Sequence, residues 1–329
     1  MKQLWLYIGA ISCALATILH PWKRKAAPGW PTFFVVGAAK SGTTSLYHYL
    51  SQHPDVYMPR NKEPHWFSRV PPFPGRGSHP VTSEEEYLGL FKGWSKESVA
   101  GEASPSYLWD EKAPYRIKGA VPQAKIIAIL RHPAERAYSH YMMDVRLDKQ
   151  DLSFREALER DYHAENKGWG VSDQYIDLGF YAEQVQRYVE VFGSTQVKIF
   201  LYEDLRENPR ALLRSAFEFL EVDPGYADAI RTDERYNTYS LPRNRLAKRI
   251  LRSRLFKSRL ARELRARAIA NPQIRAQLRQ SVLLKEETKS AMDPDCRRFL
   301  MDLYRSDIRK LQALLDRELG HWLHIDDEN

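Results

Sequence analysis

The segment from Phe33 to Gln52 constrains the fold more than any other part of this 329-residue chain. It opens with four apolar, β-prone residues, FFVV, which predict a fully buried strand. The glycine-containing turn GAAKSGTT follows, and a helical pattern then runs from Ser45 to Gln52. A strand, a glycine turn and a helix in this order direct backbone N–H groups and the helix dipole toward an anion. The segment predicts an anion-binding loop, and a tight turn without a ligand is the alternative.

Further apolar runs alternate with helical patterns along the chain. This alternation predicts an α/β fold, with a P-loop-like parallel sheet covered by helices on both faces and a helical C-terminal portion. The Pro- and Gly-rich residues 71–80 predict a surface loop. The predicted strands are Val99–Gly101, Lys125–Leu130 and Val197–Leu201, and the predicted helices are Pro133–Asp148, Phe180–Val191, Pro209–Leu220 and Asp293–Trp322.

Composition narrows the class of protein. Apolar residues make up 43% of the chain and charged residues 28%, which is typical of a globular domain and not of a disordered one. The mean hydropathy of −0.55 excludes a polytopic membrane protein. The two cysteines, Cys13 and Cys296, offer no disulfide framework. Their scarcity and the absence of an Asn-x-Ser/Thr acceptor site favour a reducing, cytosolic environment.

The N-terminus predicts a membrane-associated segment. Residues 3–22 contain no Asp, Glu, Lys or Arg, and an apolar helix of that length just crosses a bilayer core of about 30 Å. The basic cluster Lys23-Arg24-Lys25 follows directly and favours a cytoplasmic catalytic domain. We expect residues 1–22 to be a single-pass anchor, residues 23–31 a basic linker and residues 32–329 the functional domain. A cleaved signal, or a peripheral helix on a cytoplasmic protein, is the alternative.

A second charged feature lies near the C-terminus. Between Arg243 and Gln280 there are 13 Lys and Arg residues against one acid, Glu263. This basic stretch, residues 243–279, could contact anionic lipid, attract an anionic acceptor or cofactor, or form a solvated face. Nucleic acid is not an expected partner, because no recognised nucleic-acid-binding motif accompanies the charge.

The loop after the first strand departs from that of nucleoside triphosphatases. The glycines of the Walker-A pattern are present at Gly37 and Gly42, but Thr43 stands where that pattern requires lysine. The strand KIIAIL ends in Arg131 instead of a metal-holding carboxylate. An arginine at that place suits a second phosphate group, so no metal is expected.

Two long motifs carry a resemblance to a known family. The run FFVVGAAKSGTTSLYHYLSQHPDVYMPRNKEPHWFS resembles the 5′-phosphosulfate loop of sulfotransferases that use 3′-phosphoadenylyl sulfate (PAPS), in particular the bacterial and heparan-sulfate-modifying branch. About 90 residues later, AILRHPAERAYSHY resembles the 3′-phosphate segment of the same family. The resemblance continues through GEASPSYLW and VKIFLYEDLRENP and covers roughly residues 32–322.

The resemblance implies a role for each matching residue. Lys40 would stabilise the leaving phosphate, Arg131 and Ser139 would grip the 3′-phosphate, and Arg243 could close over it. Glu63 would be the catalytic base, and His65 is a second candidate. Glycosaminoglycan enzymes often have a lysine at the position of Ala103, so a strongly anionic acceptor is not expected. The remaining residues implied to bind the cofactor are Ser41, Gly42, Thr43, Thr44 and Ser45.

The predicted function is transfer of a sulfuryl group from PAPS to a hydroxyl or amine. The acceptor is a carbohydrate or glycolipid in the first instance, with lipids and small alcohols left open. A P-loop kinase of a small molecule is the rival enzyme, and the missing Walker lysine argues against it. A catalytically inactive module that binds polyanions or membranes is the rival outside enzymes.

Overall fold

The computed structural model describes residues 29–68, 81–147, 149–165, 167, 174–233, 240–242, 284–286 and 291–324. Five strands form a parallel sheet in the order β2-β3-β1-β4-β5, and β6 and β7 pair separately as an antiparallel ribbon. The predicted α/β fold with a parallel sheet is therefore confirmed. The strands are β1 Phe33–Gly37, β2 Val56–Tyr57, β3 Val99–Ala103, β4 Lys125–Leu130, β5 Val197–Leu201, β6 Ser240–Pro242 and β7 Leu284–Glu286.

The helices predicted at Pro133–Asp148, Phe180–Val191 and Pro209–Leu220 agree with the structure to within two residues at each end. The last helix forms the expected helical C-terminal portion, but it ends at Leu315 and not at the predicted Trp322, because Asp316 adopts a left-handed conformation there. The helices are α1 Thr43–Leu50, α2 Glu84–Gly89, α3 Ser106–Trp109, α4 Ala113–Ala120, α5 Pro133–Arg146, α6 Phe154–His163, α7 Tyr181–Phe192, α8 Tyr202–Glu207, α9 Pro209–Leu220 and α10 Pro294–Leu315.

Alternate residues of the central strands enter two separate hydrophobic cores. In β1, Phe34 and Val36 face one core, whereas Phe33 and Val35 face the other. All five residues of β1 are buried, as expected for a strand covered on both faces. Helices α5, α7 and α10 contribute to the first core, and α1 and α9 contribute to the second. The continuous apolar runs in the sequence follow from this two-sided burial.

Several short elements were not predicted, although two carry a helix-start signal. Ser83 caps α2 by accepting the Glu86 backbone N–H, and Ser153 forms a capping box with Glu156 at the start of α6. In a sequence, the pattern Ser-x-x-Glu indicates the N-terminus of a helix. The two residues of β2 are too few to show a periodic pattern.

Three sequence predictions concern residues outside the described part of the chain. These are the anchor at 1–22, the loop at 71–80 and the basic stretch at 243–279. Within the described ranges, no helix is both long enough and apolar enough to cross a membrane. The anchor and the membrane-facing role of the basic stretch remain predictions.

The contact between β1 and β3 leaves no space for a side chain at Gly101. A Cβ atom built there would lie 2.2 Å from Cζ of Phe33. We expect Gly101→Ala to lower the free energy of unfolding by about 1–3 kcal/mol, because the Phe33 ring must move within a packed core. Urea denaturation followed by circular dichroism measures this loss.

Gly119 provides the matched control. It lies in helix α4, and a Cβ atom there meets nothing within 4 Å. Gly119→Ala should therefore leave stability unchanged or raise it by about 0.5–1 kcal/mol through helix propensity. Equal stability of the two variants would contradict the packing argument.

Candidate active site

The loop between β1 and α1 is held in a compact conformation by its backbone. The φ angles of Lys40 and Gly42 are 69° and 97°, both in the left-handed region. A Cβ atom at Gly42 would lie 2.8 Å from Cδ2 of Leu205, so glycine is needed there for space as well as for conformation. The loop is joined to β4 by the Ala38 N–H, which donates to the Ile129 carbonyl at 2.7 Å.

Helix α1 directs its first turn toward the space above this loop. Its N-cap residue is Gly42, which has no side chain to cap the helix. The first N–H groups of an α-helix have no acceptor within the helix, and they form the positive end of its dipole. Thr43, Thr44 and Ser45 add hydroxyl groups at the same place, and all three line a cavity. This end of α1 can therefore bind an anion.

That cavity has a volume of about 530 Å³ and lies at the carboxyl ends of β1, β3 and β4. Strand order reverses at β1, and open parallel sheets bind ligands at such a switch point. The lining is rich in cations and contains one carboxylate, that of Glu63. The lining residues are Ala39, Lys40, Gly42, Thr43, Thr44, Ser45, Lys62, Glu63, His65, Pro105, Ser106, Arg131, Ser139, His140, Met143, Arg146, Leu178 and Tyr202.

We call residues 38–42, between β1 and α1, the anion loop. Lys40 lies inside this loop, as the sequence predicted. Its Nζ lies 3.4 Å from Sδ of Met143 on helix α5, so the side chain extends across the cavity. Lys40 also lowers the pKa of Glu63, which shows that its charge acts on the same space. The ammonium group therefore lies in the same cavity as the first turn of α1.

Arg131 follows the last residue of β4 and points into the same cavity. Its guanidinium lies 4.9 Å from the ring centroid of Tyr202 and forms an ion pair with Glu135 at 3.3 Å. The Tyr181 hydroxyl donates to the Arg131 carbonyl at 3.0 Å. Ser139 lies eight residues further on, two turns along α5, and also lines the cavity. Both residues of the predicted pair therefore line the same cavity.

Glu63 and its neighbour Lys62 also line the cavity. The Lys62 ammonium forms an ion pair with Oε1 of Glu63, and the Glu63 side chain is 37% exposed. Burial raises the pKa of Glu63, but Lys62, His65 and Lys40 lower it more, and the net pKa lies below the usual range. Glu63 is therefore ionised at neutral pH, as a proton acceptor must be.

His65 is largely buried beside Glu63. Its Nδ1 lies 2.8 Å from the Ser106 hydroxyl, and its Nε2 lies 3.9 Å from Oε2 of Glu63. Burial lowers the pKa of His65, and the charge of Lys62 lowers it further, against an opposing effect of Glu63. The imidazole is therefore neutral near pH 7, and one nitrogen is engaged by Ser106.

Most of the predicted site residues line the cavity, and two do not appear there. Ser41 is fully buried behind the loop and is not among the lining residues. Arg243 lies outside the described residues. His53, which follows α1, does not line the cavity either: it is buried against Phe217, and its Nε2 lies 3.0 Å from the Asp223 carbonyl oxygen.

Sequence reasoning missed nine residues of the lining: Ala39, Lys62, Pro105, Ser106, His140, Met143, Arg146, Leu178 and Tyr202. A signal for two of them was present. Ser139, Met143 and Arg146 are spaced by four and three residues, which places them on one face of helix α5. Tyr202 carries no such signal, because it reaches the cavity from the end of β5.

Comparison with known proteins identifies the family to which this chain belongs. The family profile described as "Sulfotransferase domain" matches residues 31–241. In the solved structures, a sulfotransferase from Alicyclobacillus acidocaldarius is 33% identical and superposes with a TM-score of 0.65, covering 90% of this chain and 99% of that one. The chain belongs to the sulfotransferase family.

Curated relatives include enzymes named for carbohydrate substrates. Bifunctional heparan sulfate N-deacetylase/N-sulfotransferase 4 of Mus musculus is 30% identical over 220 residues, which cover 64% of this chain and 25% of that protein. Carbohydrate sulfotransferase 15 of Homo sapiens is 28% identical over 307 residues, covering 73% of this chain and 54% of that protein. The chain thus spans about a quarter of the first relative and about half of the second.

The low pKa of Glu63 depends on Lys62, and this dependence can be tested without an activity assay. Replacing Lys62 with methionine removes the ion pair and leaves burial as the main influence on the carboxyl group. We expect the pKa of Glu63 to rise in Lys62→Met. A carbon-13 NMR titration of the side-chain carboxyl resonance, assigned with a Glu63→Gln variant, measures the change.

Lys62→Arg is the control for this titration. It keeps the positive charge, so the pKa of Glu63 should remain below its usual range. The same pKa in Lys62→Met and in the parent protein would show that Lys62 does not control the ionisation of Glu63.

Proposed function

We propose that this protein transfers a sulfuryl group from PAPS to a hydroxyl or amine group of a carbohydrate acceptor. The main support for this proposal is that one cavity is lined by two candidate anion-binding sites and by a carboxylate that is ionised at neutral pH. The first candidate anion-binding site is the loop at the start of α1, and the second consists of Arg131 and Ser139. Family membership supplies the reaction type, and the cavity supplies the residues for it.

The two candidate anion-binding sites suit PAPS, which carries a negatively charged phosphosulfate at its 5′ end and a phosphate at its 3′ position. Backbone N–H groups of the first turn of α1 and the hydroxyls of Thr43, Thr44 and Ser45 would bind the 5′-phosphosulfate. The planar guanidinium of Arg131 provides paired donors for the oxygens of the 3′-phosphate, and Ser139 adds a hydroxyl donor. Tyr202, in contact with Arg131, fixes the direction of that guanidinium.

Transfer breaks the bond between sulfur and the bridging phosphate oxygen and forms a bond between sulfur and the acceptor atom. Negative charge grows on the bridging oxygen as its bond to sulfur breaks. Lys40 lies in the loop that would hold this phosphate, so its ammonium would stabilise the leaving group. Such positioned charges account for most of the catalysis in group transfers with loose transition states.

Glu63 would accept the proton that the acceptor loses. Its carboxylate lines the cavity and is ionised, and its exposure leaves room for an acceptor to approach. His65 lies beside it as a neutral imidazole whose Nδ1 is engaged by Ser106. We therefore assign the base to Glu63 and give His65 the role of orienting the acceptor or the Glu63 carboxylate.

A carbohydrate acceptor is proposed on the strength of the relatives. Their names include heparan sulfate and carbohydrate sulfotransferases. Ala103, which ends β3 and is buried, stands where glycosaminoglycan enzymes often have lysine. We therefore propose a neutral or weakly charged sugar instead of a densely sulfated chain.

A transfer assay tests the function and the assigned base together. The full chain is incubated with PAPS labelled in the sulfuryl group and a panel of neutral and uronate-containing oligosaccharides. We expect label to appear on an oligosaccharide, and Glu63→Gln to lower kcat by about 10²- to 10⁴-fold, because the acceptor proton then has no base. Binding of the desulfated nucleotide should be unchanged in Glu63→Gln.

Other outcomes of this assay would contradict the proposal. Near-normal kcat in Glu63→Gln together with its loss in His65→Ala would move the base to His65. Transfer should persist in a metal chelator, since Lys40 and Arg131 provide the positive charge. Loss of labelled transfer in all acceptors, with magnesium-dependent consumption of ATP, would favour a kinase.

The 3′-phosphate assignment predicts a binding defect. Arg131→Ala removes a charge-assisted contact worth about 1.5–3 kcal/mol, which is roughly a 10- to 100-fold rise in the Kd for adenosine 3′,5′-bisphosphate. Ser139→Ala removes a neutral donor and should cost about 0.5–1.5 kcal/mol. Isothermal titration calorimetry measures both. Arg187→Ala, on α7 and paired with Glu183, is the control; equal affinity in Arg131→Ala and in this control would exclude the assignment.

A further inference from the structure

The segment that carries Glu63 and His65 has an unfavourable backbone conformation. The φ angles of Glu63 and His65 are 65° and 55°, in the left-handed region that residues with a side chain rarely adopt. Such a conformation is unfavourable and persists only where its surroundings hold it. The structure must therefore contain contacts that fix residues 63–67, which we call the base loop.

Three of these contacts join the base loop to the end of β3 and the residues after it. The Glu63 N–H donates to the Ala103 carbonyl at 3.1 Å. The His65 N–H donates to the Ser104 hydroxyl oxygen at 3.2 Å, and the Phe67 N–H donates to the Tyr107 hydroxyl oxygen at 3.2 Å. Two of the three contacts thus depend on side-chain hydroxyls.

Both hydroxyls donate their own protons to a single buried carboxylate, that of Glu102. Ser104 donates to Oε2 of Glu102 at 2.8 Å, and Tyr107 donates to Oε1 at 2.7 Å. A third hydroxyl, that of Tyr87, donates to Oε1 at 2.9 Å. Glu102 lies within β3 and is 1% exposed, so it cannot contact a substrate.

The direction of these hydrogen bonds follows from proton counting. A hydroxyl has one proton and two lone pairs, so it can accept the N–H of the base loop while it donates to Glu102. An ionised carboxylate can accept all three hydroxyl protons, whereas a protonated one or an amide would carry a donor that conflicts with one of them. The ionised form of Glu102 thus fixes which way each hydroxyl points.

We propose that Glu102 is a positioning residue for the base loop: its carboxylate orients the Ser104 and Tyr107 hydroxyls, which in turn hold the backbone N–H groups of His65 and Phe67. The catalytic part of this inference rests on the proposed function, because it takes Glu63 as the base. The anchoring part concerns only the fold. Glu102, Ser104 and Tyr107 all belong to the motif GEASPSY, so the proposed role accounts for three residues of that motif.

Burial and hydrogen bonding act on Glu102 in opposite directions. Burial raises the pKa of Glu102 to about 7, although the hydroxyls of Tyr107, Ser104 and Tyr87 and the charge of Lys62 all lower it. A buried carboxylate is costly to keep ionised, and it persists where donors compensate it. The three hydroxyl donors compensate part of that cost but leave the pKa near 7, so the ionised form that fixes the hydroxyls makes up about half of the molecules at pH 7 and predominates above it.

A matched pair of phenylalanine variants tests the anchoring. Tyr107→Phe and Tyr87→Phe each remove one donor to the same oxygen of Glu102, and both rings are fully buried. Of these two tyrosines, Tyr107 also accepts an N–H of the base loop, and among the described residues Tyr87 accepts none. We expect amide hydrogen exchange in a peptide spanning residues 62–68 to be about 2- to 10-fold faster in Tyr107→Phe and unchanged in Tyr87→Phe.

The same pair tests the effect on catalysis. We expect kcat to fall at least about tenfold in Tyr107→Phe, with the Kd for adenosine 3′,5′-bisphosphate unchanged, because a displaced base affects the transfer step and not the nucleotide. Tyr87→Phe should keep both values. A merely structural role for Tyr107 would instead change the two variants alike.

Two further variants test the remaining contacts. Ser104→Ala removes the hydroxyl that accepts the His65 N–H, and Glu102→Gln replaces the carboxylate. Ser104→Ala should accelerate exchange in the same peptide, and Glu102→Gln should do so while keeping the volume of the side chain. Unaltered exchange in both Ser104→Ala and Tyr107→Phe would overturn the anchoring. Faster exchange with unaltered kcat would overturn the catalytic part.

The outcomes separate this inference from the proposed function. A parent protein that transfers no label from PAPS would contradict the function, while the exchange experiment would still decide the anchoring. A parent protein that transfers label, with equal exchange and equal kcat in Tyr107→Phe and Tyr87→Phe, would contradict the inference and leave the function in place.

Discussion

Strand β1 lies between β3 and β4 in the parallel sheet, and its five residues are buried on both faces. The chain leaves β1 toward β3 on one side and later returns to β4 on the other. This reversal opens a space above β1 that neither crossover connection covers. The anion loop follows β1, Arg131 follows β4, and the base loop is held at the end of β3. The packing of one strand therefore brings three distant parts of the sequence together.

Two carboxylates a short distance apart in the fold have opposite environments. Lys62, Lys40 and His65 hold the pKa of Glu63 below its usual range, whereas burial raises the pKa of Glu102 to about 7. Glu63 lies on the cavity wall, where a substrate can reach it, and Glu102 lies inside β3 among hydroxyl donors. The first environment suits proton transfer, and the second suits a carboxyl group that positions its neighbours through hydrogen bonds.

The arginine assigned to the 3′-phosphate is also tied to the C-terminal helix. Glu135 lies between Arg131 and Arg297 and forms an ion pair with each. Arg297 belongs to α10, which packs on the same face of the sheet as α5 and α7. A helix about 160 residues away in the sequence thus helps to set the position of Arg131. Removal of this helix would disturb the nucleotide end of the cavity as well as the core.

The sequence alone determined the sheet and much of the anion site, because both depend on local patterns. FFVV is apolar throughout, and KIIAIL is apolar after Lys125, because these strand residues are buried on both faces. The residues that follow the two strands, including Lys40 and Arg131, must meet at one edge of a parallel sheet. Sequence resemblance also singled out Glu63 and His65, and both line the cavity. It could not show the pairing of Lys62 with Glu63, or the anchoring of His65 and Phe67 by residues about 40 positions away. Those contacts depend on how one loop packs against the end of β3, and only the tertiary structure decides which hydroxyl faces which N–H group.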